Sequence, residues 1–138
     1  MNYQIRYTKV ESSPPLVEYI ETKLVHALKR FAGSVEPHDP WQFTIEVGRE
    51  TTHHRKGEIW FAEVTGATSY GAVRVRSEGS DIREAIDITE EDLKATLSKS
   101  KGKLFSRGLR AARRMKRIMR LSHLARFLRR GRIRDEGV

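Results

Sequence analysis

Positive charge in this chain is segregated, and the segregation limits which residues can share a core. Residues 101–138 carry fourteen Lys/Arg against two acids, Asp135 and Glu136, a net +12, whereas residues 1–100 carry thirteen against sixteen, a net −3. Like charges at the first density repel one another when gathered around a common interior. The first hundred residues are therefore expected to form the compact unit, which is enough chain to bury a modest core without staples. The last quarter is expected to be an arm suited to a polyanion, with RNA, DNA and anionic membrane as the candidates.

Composition narrows the chemistry. The 138 residues include no cysteine, so disulfides, zinc ribbons and thiol catalysis are excluded. The opening MNYQIRYTKV lacks the apolar stretch of a secretory signal, and no run of about 18 apolar residues exists to span a bilayer. A cytoplasmic location is expected.

Periodicity gives the elements. Tyr3, Ile5 and Tyr7 alternate with polar residues, the pattern of a half-buried strand. Ser12-Ser13-Pro14-Pro15 reads as a helix start, and Leu16, Ile20, Leu24, Leu28 and Phe31 follow at helical spacing, with Gly33 as the stop. Trp41, Phe43, Ile45 and Val47 alternate as a second strand, Glu58 to Val64 is a third, and Val73 and Val75 mark a fourth. Gly66 to Ser69 is read as the turn between the last two. Asp81 and Glu84 have the spacing of a capping box, and Ile82, Ile86, Thr89, Leu93 and Leu97 form one stripe to about Lys99. The order β-α-β-β-β-α implies an α+β fold: two layers, a four-stranded sheet with both helices on one face, plus a C-terminal basic helical arm. The expected domains are residues 1–103 and the extension 104–138. The extension, rich in helix formers but crowded with charge, is expected to be partly helical or disordered and to order on a polyanion.

Few residues point to catalysis. His53-His54 are neighbours that a strand would turn to opposite faces, with no third ligand nearby, so a solvated loop is expected rather than a metal site. His26 reads as a polar flank residue rather than a base. Glu90, Glu91 and Asp92 read as the solvated face of a helix. No phosphate cradle and no nucleophile–base pattern occurs, and neither enzyme activity nor a cofactor is expected.

Basic side chains are more informative. At about 100° per residue, Lys23 and Arg30 share one flank of the first helix, while Arg83, Lys94 and Lys101 share one flank of the last helix and Lys99 lies on the other. Side by side, the two helices are expected to present either a charged furrow or a set of side chains snorkelling around the core; the net −3 of residues 1–100 favours the second and the adjoining Lys99, Lys101 and Lys103 favour the first. Arg55 and Lys56 add charge in the central connection. Beyond Lys103 the arm offers Arg107, Arg110, Arg113, Arg114, Lys116, Arg117 and Arg120, and guanidinium forks suit phosphates. These residues are the candidate RNA contacts.

His53-His54-Arg55-Lys56-Gly57-Glu58-Ile59-Trp60 and Ala62-Glu63-Val64 resemble the central hairpin of the ribosome hibernation promoting factor and ribosome-associated inhibitor family. Ser77-Glu78-Gly79-Ser80-Asp81-Ile82, Ala85-Ile86-Asp87, Leu93, Leu97, Lys99 and Lys101 resemble that family's last helix. The resemblance spans about residues 1–103. It implies a non-enzymatic silencer of translation that occupies the mRNA/tRNA channel of the small ribosomal subunit through basic contacts to ribosomal RNA. It also implies that Lys23, Lys99, Lys101 and Lys103 stand at basic family positions. The chain departs from the family pattern at Asp92, where a lysine is usual, at Arg83, where an aromatic is usual, and at Phe61, often basic. It resembles the short form, without the C-terminal dimerisation domain of long members; the arm stands in its place, with ribosomal proteins as further candidate partners. The competing expectations are a general RNA- or DNA-binding protein and a membrane-surface protein with a basic amphipathic arm. The arm's aromatics are only Phe105 and Phe127, with no Trp, so no membrane partner is expected.

Overall fold

The structure, a computed structural model, describes residues 1–32, 41–51 and 57–135, with side chains through residue 121. His53, His54, Arg55 and Lys56 lie outside the described residues. Two compact units are present, Met1–Lys101 and Gly102–Val138.

In the first unit, strand β1 (Asn2–Thr8) is followed by helix α1 (Pro14–Ile20), a π-helical turn (Glu21–Val25) and helix α2 (His26–Ala32). Strands β2 (Gln42–Thr51), β3 (Glu58–Thr68) and β4 (Gly71–Gly79) come next, and α3 begins at Ile82. The sheet order is β1-β2-β3-β4. β1 runs parallel to β2, from Asn2 opposite Gln42 to Thr8 opposite Gly48, and β2, β3 and β4 form an antiparallel meander. This is the expected α+β layer order.

One core joins the layers. Ile20, Leu24 and Leu28 from the first helix and Ile86, Leu93 and Leu97 from α3 are fully buried against Phe43, Ile45, Val47, Ala62, Val64, Val73 and Val75. The strand residues alternate along their strands, so they belong to one face of the sheet, and both helices cover that face.

The π-helical turn explains how a run spaced by four stays buried. Leu16, Ile20, Leu24 and Leu28 would drift by about 40° per step around a regular helix. The wide turn, in which the His26 N–H donates to the Glu21 carbonyl, slows the drift. Ser13 sits at the N-cap, but its hydroxyl makes no capping bond, and Pro14 and Pro15 occupy the positions where no N–H is needed.

The β3–β4 turn is not at Gly66–Ser69. β3 continues to Thr68, which pairs with Gly71, and the connection is Ser69–Tyr70. Gly66 is a strand residue whose missing side chain is replaced by the Phe43 ring: an added Cβ would lie 2.3 Å from it. Glycine here marks a close approach, not a turn. Trp41 seats the true turn, its Nε1 donating to Ser69 Oγ at 3.3 Å and its ring edge-on to Tyr70.

At the start of α3, Asp81 accepts from the Glu84 N–H at 2.7 Å. Glu84 reaches back one residue further than the expected box, accepting from the N–H and hydroxyl of Ser80. The stop expected near Lys99 is absent, and α3 runs from Ile82 to Asp135. Gly102 and Gly108 each cost about 1 kcal/mol of helix propensity, too little to interrupt a stretch otherwise made of strong helix formers.

Candidate nucleic-acid interface

The flank between the first helix and α3 carries a mixed charge network rather than a cationic furrow. Lys23, from the π-helical turn, places its Nζ 3.5 Å from Asp87 and 3.5 Å from Glu90, both on α3. One turn along α3, Lys94 Nζ lies 2.6 Å from the same Glu90 carboxylate. Tyr19 donates its phenol to Asp87 at 2.6 Å, and the Arg83 guanidinium lies 5.3 Å from the Tyr19 ring centre. Each ionisation is tuned accordingly. Glu90 first, then Asp87, hold the Lys23 ammonium pKa above its ordinary value. The hydrogen bond to Asp87 raises that of the Tyr19 phenol.

Glu90 is therefore not part of a solvated face. Its side chain is only 16% exposed, because it faces the first helix and is shared by two lysines. Asp92 is also engaged, accepting from the buried Ser77 hydroxyl on β4 at 2.9 Å. The i,i+4 spacing of Glu90 and Lys94 was a legible signal for their pairing. The approach of Lys23 was not, since it depends on how the helices pack. Arg30 is exposed on α2 and lies outside this network. The seven-residue spacing that put it on the flank of Lys23 assumes a regular helix, which the wide turn is not.

Asp92, Arg83 and Phe61 all have local roles. Asp92 ties α3 to β4, and Arg83 stacks over Tyr19. Phe61, on the sheet face away from the helices, is buried beneath the Arg76 guanidinium, 4.3 Å from the ring centre. Arg76 is in turn held by Glu50 at 2.8 Å and Glu63 at 3.4 Å, while Arg74 meets Glu63 at 2.8 Å. On that face Arg74 and Arg76 are engaged by carboxylates of the sheet itself.

Lys99 and Lys101 are exposed on α3. In the second unit the side chains of Lys103, Arg107, Arg110, Arg113, Arg114, Lys116, Arg117 and Arg120 are exposed as well. No acid occurs between Leu93 and Arg134, so no carboxylate of the same helix stretch competes for them. At 100° per residue these eight occupy about half the circumference. Leu104, Phe105, Ala111, Ala112, Met115 and Ile118 occupy the other half, while Leu109 and Leu121 fall among the basic residues. Among the described residues there is no group of three or more His, Asp or Glu able to hold a metal ion, and no helix long and apolar enough to cross a membrane.

The model of the sigma-54 modulation protein / S30EA ribosomal protein family matches residues 3–104, the whole sheet-and-helix layer. The chain belongs to this family. The resemblance to hibernation factors is thereby borne out over the folded unit. Solved structures agree on the S30EA fold. The N-terminal domain of Thermus thermophilus Protein Y aligns with a TM-score of 0.53 at 20% identity, covering 72% of this chain and 98% of that one. A ribosomal subunit interface protein from Coxiella burnetii aligns with a TM-score of 0.52 at 19% identity, covering 74% and 99%. Among curated proteins no sequence matches.

Proposed function

We propose that this S30EA family member is a ribosome-binding translation silencer. Its folded domain occupies the mRNA/tRNA channel of the small subunit, and basic side chains of α3 contact ribosomal RNA. The observation that carries this reading is the family match, which spans the complete β-α-β-β-β-α unit. The exposed basic side chains of the acid-free stretch from Lys99 to Arg120 support it, because phosphate is their natural partner. The activity is steric and stoichiometric: a folded domain in the channel excludes both ligands, and no bond is made or broken.

Competition tests it. Purified small subunits are loaded with labelled mRNA and tRNA and titrated with the protein. The expected result is saturable displacement of both at about one protein per subunit, with translation falling in parallel. Undiminished binding to subunits that retain mRNA and tRNA would overturn the channel assignment. Equal affinity for unrelated duplex or single-stranded RNA would point instead to a general RNA-binding protein.

A further inference from the structure

The network between the first helix and α3 has a consequence for which surface meets RNA. An ammonium or guanidinium contributes to polyanion binding by exchanging its counterions for phosphates. Lys23 and Lys94 already hold carboxylates as counterions, Lys23 those of Asp87 and Glu90, and Lys94 that of Glu90. These carboxylates are covalently part of the domain, so dilution does not remove them. These four charges sum to zero, Arg83 over the Tyr19 ring leaves the flank at a single net positive charge, and a phosphate approaching it meets Asp87 and Glu90 as well as the cations.

We infer that Glu90, with Asp87, is a specificity-determining guard on the folded domain: its carboxylate competes with RNA phosphate for Lys23 and Lys94 and holds this flank at low affinity for RNA. This rests on the reading that basic helix side chains of the protein contact RNA. Glu90 is the better placed of the two guards. It alone reaches both lysines, and its side chain is largely covered, so its ion pairs are less screened than those at an open surface. Asp87 is divided between Lys23 and the Tyr19 phenol. Binding that does not depend on this flank falls to the side chains beyond it, from Lys99 to Arg120, a stretch that contains no carboxylate.

Removal of one side-chain charge should therefore be a gain of function. Glu90→Gln keeps the shape of the side chain and releases Lys94 fully and Lys23 in part. Binding of the full chain to a short RNA hairpin and to small ribosomal subunits is measured across a salt series. The expected result is about three- to tenfold tighter binding to subunits at low salt, the scale of one or two exposed charge pairs. The log–log salt slope should steepen by about 0.7–0.9 for each additional phosphate that the freed lysines neutralise. Adding Lys94→Gln to Glu90→Gln should remove most of the tightening, whereas Lys94→Gln alone should change little.

Glu91→Gln is the control, since Glu91 is exposed on the same helix and makes no ion pair among the described residues. Equal tightening by Glu91→Gln would mean that net charge alone matters, and would overturn the guard. Unchanged affinity and slope in Glu90→Gln would overturn it too. Thermal melts of Glu90→Gln and Glu90→Ala report folding, and the test is read on whichever variant melts cooperatively. The two readings fail separately. If subunits are bound but Glu90 has no effect, the guard is wrong and the silencer stands. If Glu90→Gln tightens binding to the hairpin while neither protein binds subunits, the guard stands and the silencer falls.

Discussion

Gly48 and Phe61 face each other across β2 and β3, and together they show how closely single residues are matched in this sheet. A Cβ on Gly48 would lie 2.8 Å from the Phe61 ring and 2.7 Å from the Thr8 carbonyl oxygen. The ring thus fills the place of the missing side chain, and Arg76 covers the ring. Gly48→Ala is expected to cost about 2 kcal/mol through overpacking. Phe61→Ala is expected to cost about 3 kcal/mol through lost burial and the cavity left under Arg76. Because one clash is with the ring and the other with backbone, Gly48→Ala in the Phe61→Ala background should recover part of its cost, a coupling of roughly 1 kcal/mol. Urea unfolding of the four proteins checks this; strict additivity would mean that the ring does not sit over Gly48. Alternation does not foretell the site, since it assigns Phe61 to the outward face and says nothing of a glycine opposite.

Among the elements, α3 is the most dependent on a local start. Asp81 caps the Glu84 N–H, and Glu84 receives both donors of Ser80. Asp81→Ala should lower stability by about 1 kcal/mol, read from the denaturation midpoint. Glu84 adds a pH dependence. Its pKa is lowered, chiefly by the hydrogen bond from the Ser80 hydroxyl and then by that from the Ser80 N–H. The folded protein therefore binds this proton less readily than the unfolded chain. The contribution is fully present above the unfolded carboxylate pKa and is lost as pH falls through the folded one. Acidification from neutral pH toward the lower carboxylate range should loosen the α3 N-terminus, seen as faster amide exchange at residues 82–85, and Glu84→Gln should remove that pH dependence. Asp81 and Glu84 were legible from their three-residue spacing. The extra reach to Ser80 was not, because it depends on the chain path entering the helix. The end of α3 was not legible either: the stripe loses its buried partners after Leu97, but loss of partners ends burial, not helix.

At the scale of the whole molecule, the Met1–Lys101 unit contains every residue of the buried core. A chain truncated after Lys103 should unfold cooperatively, with a midpoint within a few degrees of the full protein; loss of cooperativity would make the arm part of the core. The same truncation should change how binding to small subunits responds to salt. If the arm meets about six phosphates, its removal should reduce the log–log slope by about four to five, at about 0.7–0.9 for each. Identical slopes would remove the arm from the interface.

What the sequence by itself determined was whatever depends on local periodicity and local charge. Alternation at Phe43, Ile45 and Val47, the helical stripe at Ile86, Leu93 and Leu97, and the break in charge near residue 100 specify the elements, their order and the basic character of the arm. These patterns are legible because each is fixed by neighbours in the chain. Only the tertiary structure decided the state of the charges. Lys23 reads as a free cation in the sequence, and packing brings Asp87 and Glu90 to it from about 65 residues away. The roles of Arg83, Asp92 and Phe61 become intelligible only against Tyr19, Ser77 and Arg76. A charge acts through what lies within a few ångströms of it, and for residues distant in the chain that distance is set by the fold.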